Sequence, residues 1–181
     1  MAALSDRGAS ALWVSLLTAA STVTTLALAC ATPFPALAAL AAVHMRRRDG
    51  LVLMLLAWAA SQAIGFALLG YPRDGSTLAW GAALGTAAVG SALASHTALH
   101  ALAYRSVAAR LGLAYAAGFT AFKAVILGWA LVLGGLHAVM APALLAGQFV
   151  RNGAILIGLY ALYRALVAAG VPAPPQQAAA A

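Results

Sequence analysis

Five apolar runs, each of about twenty residues or more, follow one another along this chain with only short breaks, and they leave it one solvent in which to fold. They are Ser10–Ala31, Leu51–Gly70, Leu78–Tyr104, Leu111–Leu136 and Ala143–Ala169. A helix of about 20 residues matches the hydrocarbon thickness of a bilayer. With no water to satisfy backbone groups, a helix is one of the two structures that can cross it, a closed barrel being the other. A sixth apolar run, Phe34–Met45, is shorter. Pro33 and Pro35 stop the helix before it. Arg46, Arg47 and Arg48 follow it, and their side chains can snorkel to an interface and stretch a short span. It can also be read as a helix that enters only part-way.

The composition agrees, with 65% apolar and 7% charged residues, against about 25% charged in soluble domains. The expected fold is all-α: a polytopic membrane helix bundle with six transmembrane helices, the second one short. Residues 1–170 form a single domain, and the low-complexity stretch 171–181, "VPAPPQQAAAA", reads as a disordered tail. The first run follows Arg7 and ends "ALAC" at Cys30, a pattern that signal peptides also show. The apolar runs that continue to the end of the chain favour a first membrane helix instead. One cysteine leaves no intrachain disulfide and no multi-cysteine metal site.

The net charge of +7 does not point to nucleic acid, because the cations are dispersed at the ends of the runs. With six spans, Arg7, Arg46, Arg47, Arg48, Arg105, Arg110 and Arg164 fall on one side and Arg73 on the other, next to Asp74. The side rich in Lys and Arg is the cytoplasmic one, so both termini are expected in the cytoplasm. Trp13, Tyr104 and Tyr163 then lie near the inner interface, Tyr71 and Trp80 near the outer one.

Two cations break the pattern. Lys123 in "GFTAFKAVILGWAL" and Arg151 in "LLAGQFVRNGAILIGLY" lie deep within apolar runs. Arg151 is nine residues from the start of its segment, about 13 Å at 1.5 Å per residue. A cation at mid-membrane costs roughly 2.5–3.5 kcal/mol on insertion scales and usually finds a partner. The acids Asp6, Asp49 and Asp74 all lie in a terminus or loop beside an arginine. An anionic group on a ligand is the economical counter-charge. Gln148, Arg151 and Asn152, spaced i, i+3, i+4, share one helical face and could surround it. The alternative is structural: Arg151 bonded to backbone carbonyls, Lys123 snorkelling or neutral. The missing intramembrane carboxylate also argues against a proton-coupled pump.

Trp58 and Gln62 share a face of the third helix and could wall a pocket, or simply pack. His96 and His100, at i, i+4, and His44 lie toward the basic side. They suit a haem or metal site or plain interfacial hydrogen bonding. Cys30 reads as a packing residue or as a soft-metal ligand near the outer mouth. No nucleotide loop or catalytic triad order is visible, and an enzyme is not expected.

Six spans in about 180 residues, with the outer loops "CATPFP", "GYPRDGST" and "GLHAVMAP", resemble the substrate-capturing S components of energy-coupling-factor vitamin transporters. The resemblance covers the architecture of the whole chain. It implies a bacterial cytoplasmic (inner) membrane protein whose outer loops enclose a vitamin and whose inner side docks an ATP-driven module. It brings Cys30, Tyr71, Arg73, Trp80 and His137 to the same mouth as Gln148 and Arg151. The solitary cobalamin-transporter members of that family use a cysteine to ligate cobalt, which gives Cys30 a metal role and makes cobalamin a candidate ligand. The expected function is therefore substrate binding for uptake of a vitamin-sized anionic molecule. The alternatives are a haem- or metal-binding redox subunit using His44, His96, His100 and His137, and a membrane protein that holds a lipid phosphate through Arg151.

Overall fold

The computed structural model describes residues 5–27, 33–99 and 106–175. Among them there is no strand, and the chain is a helical membrane bundle. Its elements are α1 (Asp6–Ala27), α2 (Phe34–His44), α3 (Arg47–Ala67), α4 (Gly75–Leu99), α5 (Val107–Leu133), the single turn α6 (Leu136–Val139) and α7 (Pro142–Ala168). Five of these, α1, α3, α4, α5 and α7, are long and apolar enough to cross a membrane. At 27 residues, α5 and α7 are each about 40 Å long.

Hydrogen bonds and ring contacts show that the helices alternate in direction. Arg46 Nη2, just before α3, donates to Asp6 Oδ2 of α1 at 2.7 Å, and Ser10 Oγ donates to Asp49 Oδ2 at 2.8 Å. The starts of α1 and α3 therefore share one end of the bundle. The ends of α2 and α7 meet them there: the Trp13 ring lies 5.0 Å from that of Tyr163, and His44 lies 4.3 Å from Tyr163. The end of α4 reaches the same level, where His96 lies against Gly50 of α3. This is the arginine-rich end expected from the sequence, holding Arg7, Arg46, Arg47, Arg48, Arg110 and Arg164. Trp13 and Tyr163 face inward there rather than lying free at the interface. The indole N–H of Trp13 donates to the carbonyl of Pro172 at 2.7 Å, which ties the start of the expected tail to α1.

The short second helix is the centre of the molecule. At 11 residues α2 is about 16 Å long, half a bilayer core. Pro35 stands in its first turn, where a missing N–H costs nothing. Every residue from Phe34 to His44 is buried, because α3, α4, α5 and α7 surround it. Alanines at 36, 38, 39, 41 and 42 keep its surface thin enough for that enclosure. Its N-terminal Phe34 ring meets Phe122, halfway along α5, at 6.1 Å.

The most extensive pairing is between α4 and α5. Ser95 Oγ donates to the Ala114 carbonyl at 2.8 Å. Gly118 makes the approach possible, since a Cβ there would stand 2.4 Å from Ser95 Oγ. The α5 helix ends at the Gly134–Gly135 pair, whose φ angles of 88° and 86° suit glycine, and the chain turns through α6 into α7.

Candidate functional site

Three aromatic or charged residues of α5, at i, i+4 and i+8, face α7. The Tyr115 hydroxyl donates to the Phe149 carbonyl at 2.5 Å. The Phe119 and Phe149 rings meet edge-on, with centroids 5.1 Å apart. The Lys123 ammonium donates to Gln148 Oε1 and lies 5.9 Å from the Phe119 centroid. Contact between α5 and α7 thus runs through long side chains, and it leaves a groove between their backbones. The groove has a volume of about 540 Å³, with Phe119, Thr120 and Lys123 on one wall, Val139 of α6 and the following Met140 at one end, and Phe149 on the other wall. Small-molecule sites are concave, mostly apolar and roughly 300–1,000 Å³ in volume, with few polar groups. This groove fits that description, and among the described residues Lys123 is the one charged group that lines it.

Of the residues singled out from sequence, Lys123, Gln148 and Asn152 come together here. Asn152 is buried; its Nδ2 donates to the Gln148 carbonyl at 3.0 Å, while its Oδ1 has no hydrogen-bond partner. Arg151 does not join them. It is exposed on the flank of α7, and among the described residues it makes no hydrogen bond or ion pair.

The other positions lie elsewhere. Trp58 and Gln62 fill the α3–α4 seam: the indole N–H of Trp58 donates to the Gly81 carbonyl at 2.8 Å, and the Gln62 amide oxygen lies against Gly81. Tyr71 packs on Gly65 and meets Phe66 edge-on at 6.2 Å, so it closes the α3–α4 loop on itself. Arg73 is exposed beside Asp74. Asp74 caps α4, accepting the Thr77 amide at 2.7 Å, and that bond holds its carboxyl below the usual aspartate range. Trp80 lies against the Gly135 turn, and His137 is exposed on α6. The expected outer mouth is thus divided between two seams and two loops.

Cys30 and His100 lie outside the described residues. Among the described residues, no group of three His, Cys, Asp or Glu side chains could hold a metal ion. His44 is enclosed between Tyr160 and Tyr163, and both its ring nitrogens are buried without a hydrogen-bond partner. His96 is also buried, against Gly50.

Sequence reasoning missed Tyr115, Phe119, Thr120 and Phe149. The signal was present in the four-residue spacing of Tyr115, Phe119 and Lys123, which puts three long side chains on one stripe of α5. The chain matches no protein-family model, no curated protein and no solved structure.

Proposed function

We propose that this multi-pass protein is a substrate-binding membrane transport protein of S-component type, placed in the bacterial cytoplasmic membrane, and that it captures a vitamin-sized molecule bearing an anionic group. One observation carries the reading. Lys123 stands in the wall of the α5–α6–α7 groove with only the neutral Gln148 as hydrogen-bond partner, and no carboxylate lies in the interior of any described span. A carboxylate or phosphate on the ligand supplies the missing counter-charge. Lys123 binds it, and the Gln148 amide, freed from Lys123, turns its N–H donors to the same group. Phe119 and Phe149 form an apolar floor for the rest of the ligand. The chain has no nucleotide-binding loop, so a separate ATP-driven module would power release. Cobalamin is one molecule to try, because Cys30 offers a thiol for its cobalt.

The test is mass spectrometry of small acids released from detergent-purified protein, with cobalamin added and the protein repurified in a parallel sample. A near-stoichiometric anionic molecule is expected on the wild type. Its load should fall about tenfold in Lys123→Met, the loss of roughly one charge-assisted hydrogen bond, and persist in Arg73→Ala. Equal loads in wild type and Lys123→Met, or no anionic molecule on either, would overturn the reading.

A further inference from the structure

A cavity larger than the α5–α7 groove is present among the described residues. It lies at the arginine-rich end, between α1 and α3, and has a volume of about 910 Å³. Its residues are graded along the two helices. Arg7, Arg46 and Arg48 stand at its mouth, and Val14, Val52 and Leu56 line it further in. From Arg48 to Val52 is four residues and to Leu56 eight, and from Arg7 to Val14 is seven, so the apolar wall begins about 6 Å along the helix from the cations and extends to about 12 Å. Val52 and Leu56 are 41% and 46% exposed, which leaves the inner part of the groove open to the side, where the acyl chains of a bilayer run.

The acids at the mouth do not cancel the cations. Asp6 is paired with Arg46 at 2.7 Å, and Asp49 accepts the Ser10 hydroxyl at 2.8 Å. Among the described residues, Arg7 and Arg48 have no acidic partner. Counting three arginines against two aspartates, the mouth keeps one positive charge. A groove with cations at the interfacial level and an apolar wall beneath has the polarity of one phospholipid with an anionic headgroup. Basic pockets between membrane helices take such headgroups.

We infer that the α1–α3 groove is a binding site for an anionic phospholipid, its phosphate held by Arg7 and Arg48 and one acyl chain laid along Val14, Val52 and Leu56. The inference does not rest on the transport reading, because it uses other helices and the opposite end of the bundle.

Native mass spectrometry of the detergent-purified protein tests it, with dioleoyl phosphatidylglycerol and dioleoyl phosphatidylcholine as probes. The single net charge predicts about a fivefold preference for phosphatidylglycerol, near 1 kcal/mol per basic residue at a membrane surface. The double variant Arg7→Gln/Arg48→Gln, which leaves the mouth negative, should lose the preference, and the distant Arg73→Gln should keep it. Equal binding of the two lipids by the wild type, or an undiminished preference in the double variant, overturns the site. Inorganic phosphate that binds as tightly as phosphatidylglycerol and displaces it assigns the arginines to a free anion, and also overturns it. If the double variant does not fold, salt decides on the wild type alone: the preference should shrink as ionic strength rises, and a salt-independent preference rules out the arginine contact.

Discussion

Lys123 and Arg151 both lie well inside their helices from the arginine-poor end of the bundle, yet their side chains leave those helices in opposite senses. Helical side chains lean toward the N-terminus of their own helix. The α7 helix begins at that end, so Arg151, nine residues in, leans back toward water and can snorkel along the exposed flank. The α5 helix finishes at that end, so Lys123, ten residues before Leu133, leans away from the nearer water and must find its partner within the bundle. Gln148 is that partner. Gln148→Leu should therefore lower unfolding stability in detergent by about 1–2 kcal/mol, the range for an interhelical hydrogen bond with one charged group. Adding Lys123→Met should restore most of the loss, because no cation is then left without an acceptor. A double variant as unstable as the sum of the single ones would show that the two residues are not coupled. Sequence alone marked both cations as unusual but could not tell them apart. Gln148, Arg151 and Asn152 cover an arc of about 100° at 100° per residue, and the bundle accepts only the part of that arc around Gln148 and Asn152.

At the scale of elements, the five long helices were legible from hydropathy, and their ends were displaced in a consistent direction. Each begins about four residues before its apolar run or close to it: α3 at Arg47 rather than Leu51, α4 at Gly75 rather than Leu78, α5 at Val107 rather than Leu111. First turns have unpaired N–H groups that favour polar residues and caps, as Ser106 shows by accepting the Ala109 amide at 3.3 Å, so a hydropathy reading skips them. The short helix was legible too, from its prolines and arginines. Its enclosure was not, because a lipid-facing helix and one sheathed by other helices can have the same alanine and leucine content. The difference lies in tolerance to volume. Ala39, fully buried in α2, should accept leucine only at a cost of about 1–3 kcal/mol from overpacking. Ala154, exposed on α7, should accept it with little change. Thermal unfolding in detergent compares the two, and equal midpoints for Ala39→Leu and wild type would mean that α2 is not tightly sheathed.

Across the whole molecule, the two grooves belong to opposite ends, so the orientation of the bundle decides what each one meets. The end with Arg7, Arg46, Arg47, Arg48, Arg110 and Arg164 faces a single arginine, Arg73, beside Asp74 at the other. Such an asymmetry over short loops sets orientation, with the cations retained in the cytoplasm. On that rule the α1–α3 groove is expected in the cytoplasmic leaflet, where anionic lipids supply a negative surface potential, and the Lys123 groove is expected toward the outer half, within reach of a molecule arriving from outside. In a Cys30→Ser background, Arg73→Cys should then react with a membrane-impermeant maleimide applied to intact cells. Ser106→Cys, at the start of α5 on the arginine-rich end, should react only after the membrane is opened. The reverse pattern would turn the molecule over and leave the Lys123 groove facing the cell interior. Uptake from outside would then lose its entry point, while the arginine groove would keep its chemistry and meet the outer leaflet instead.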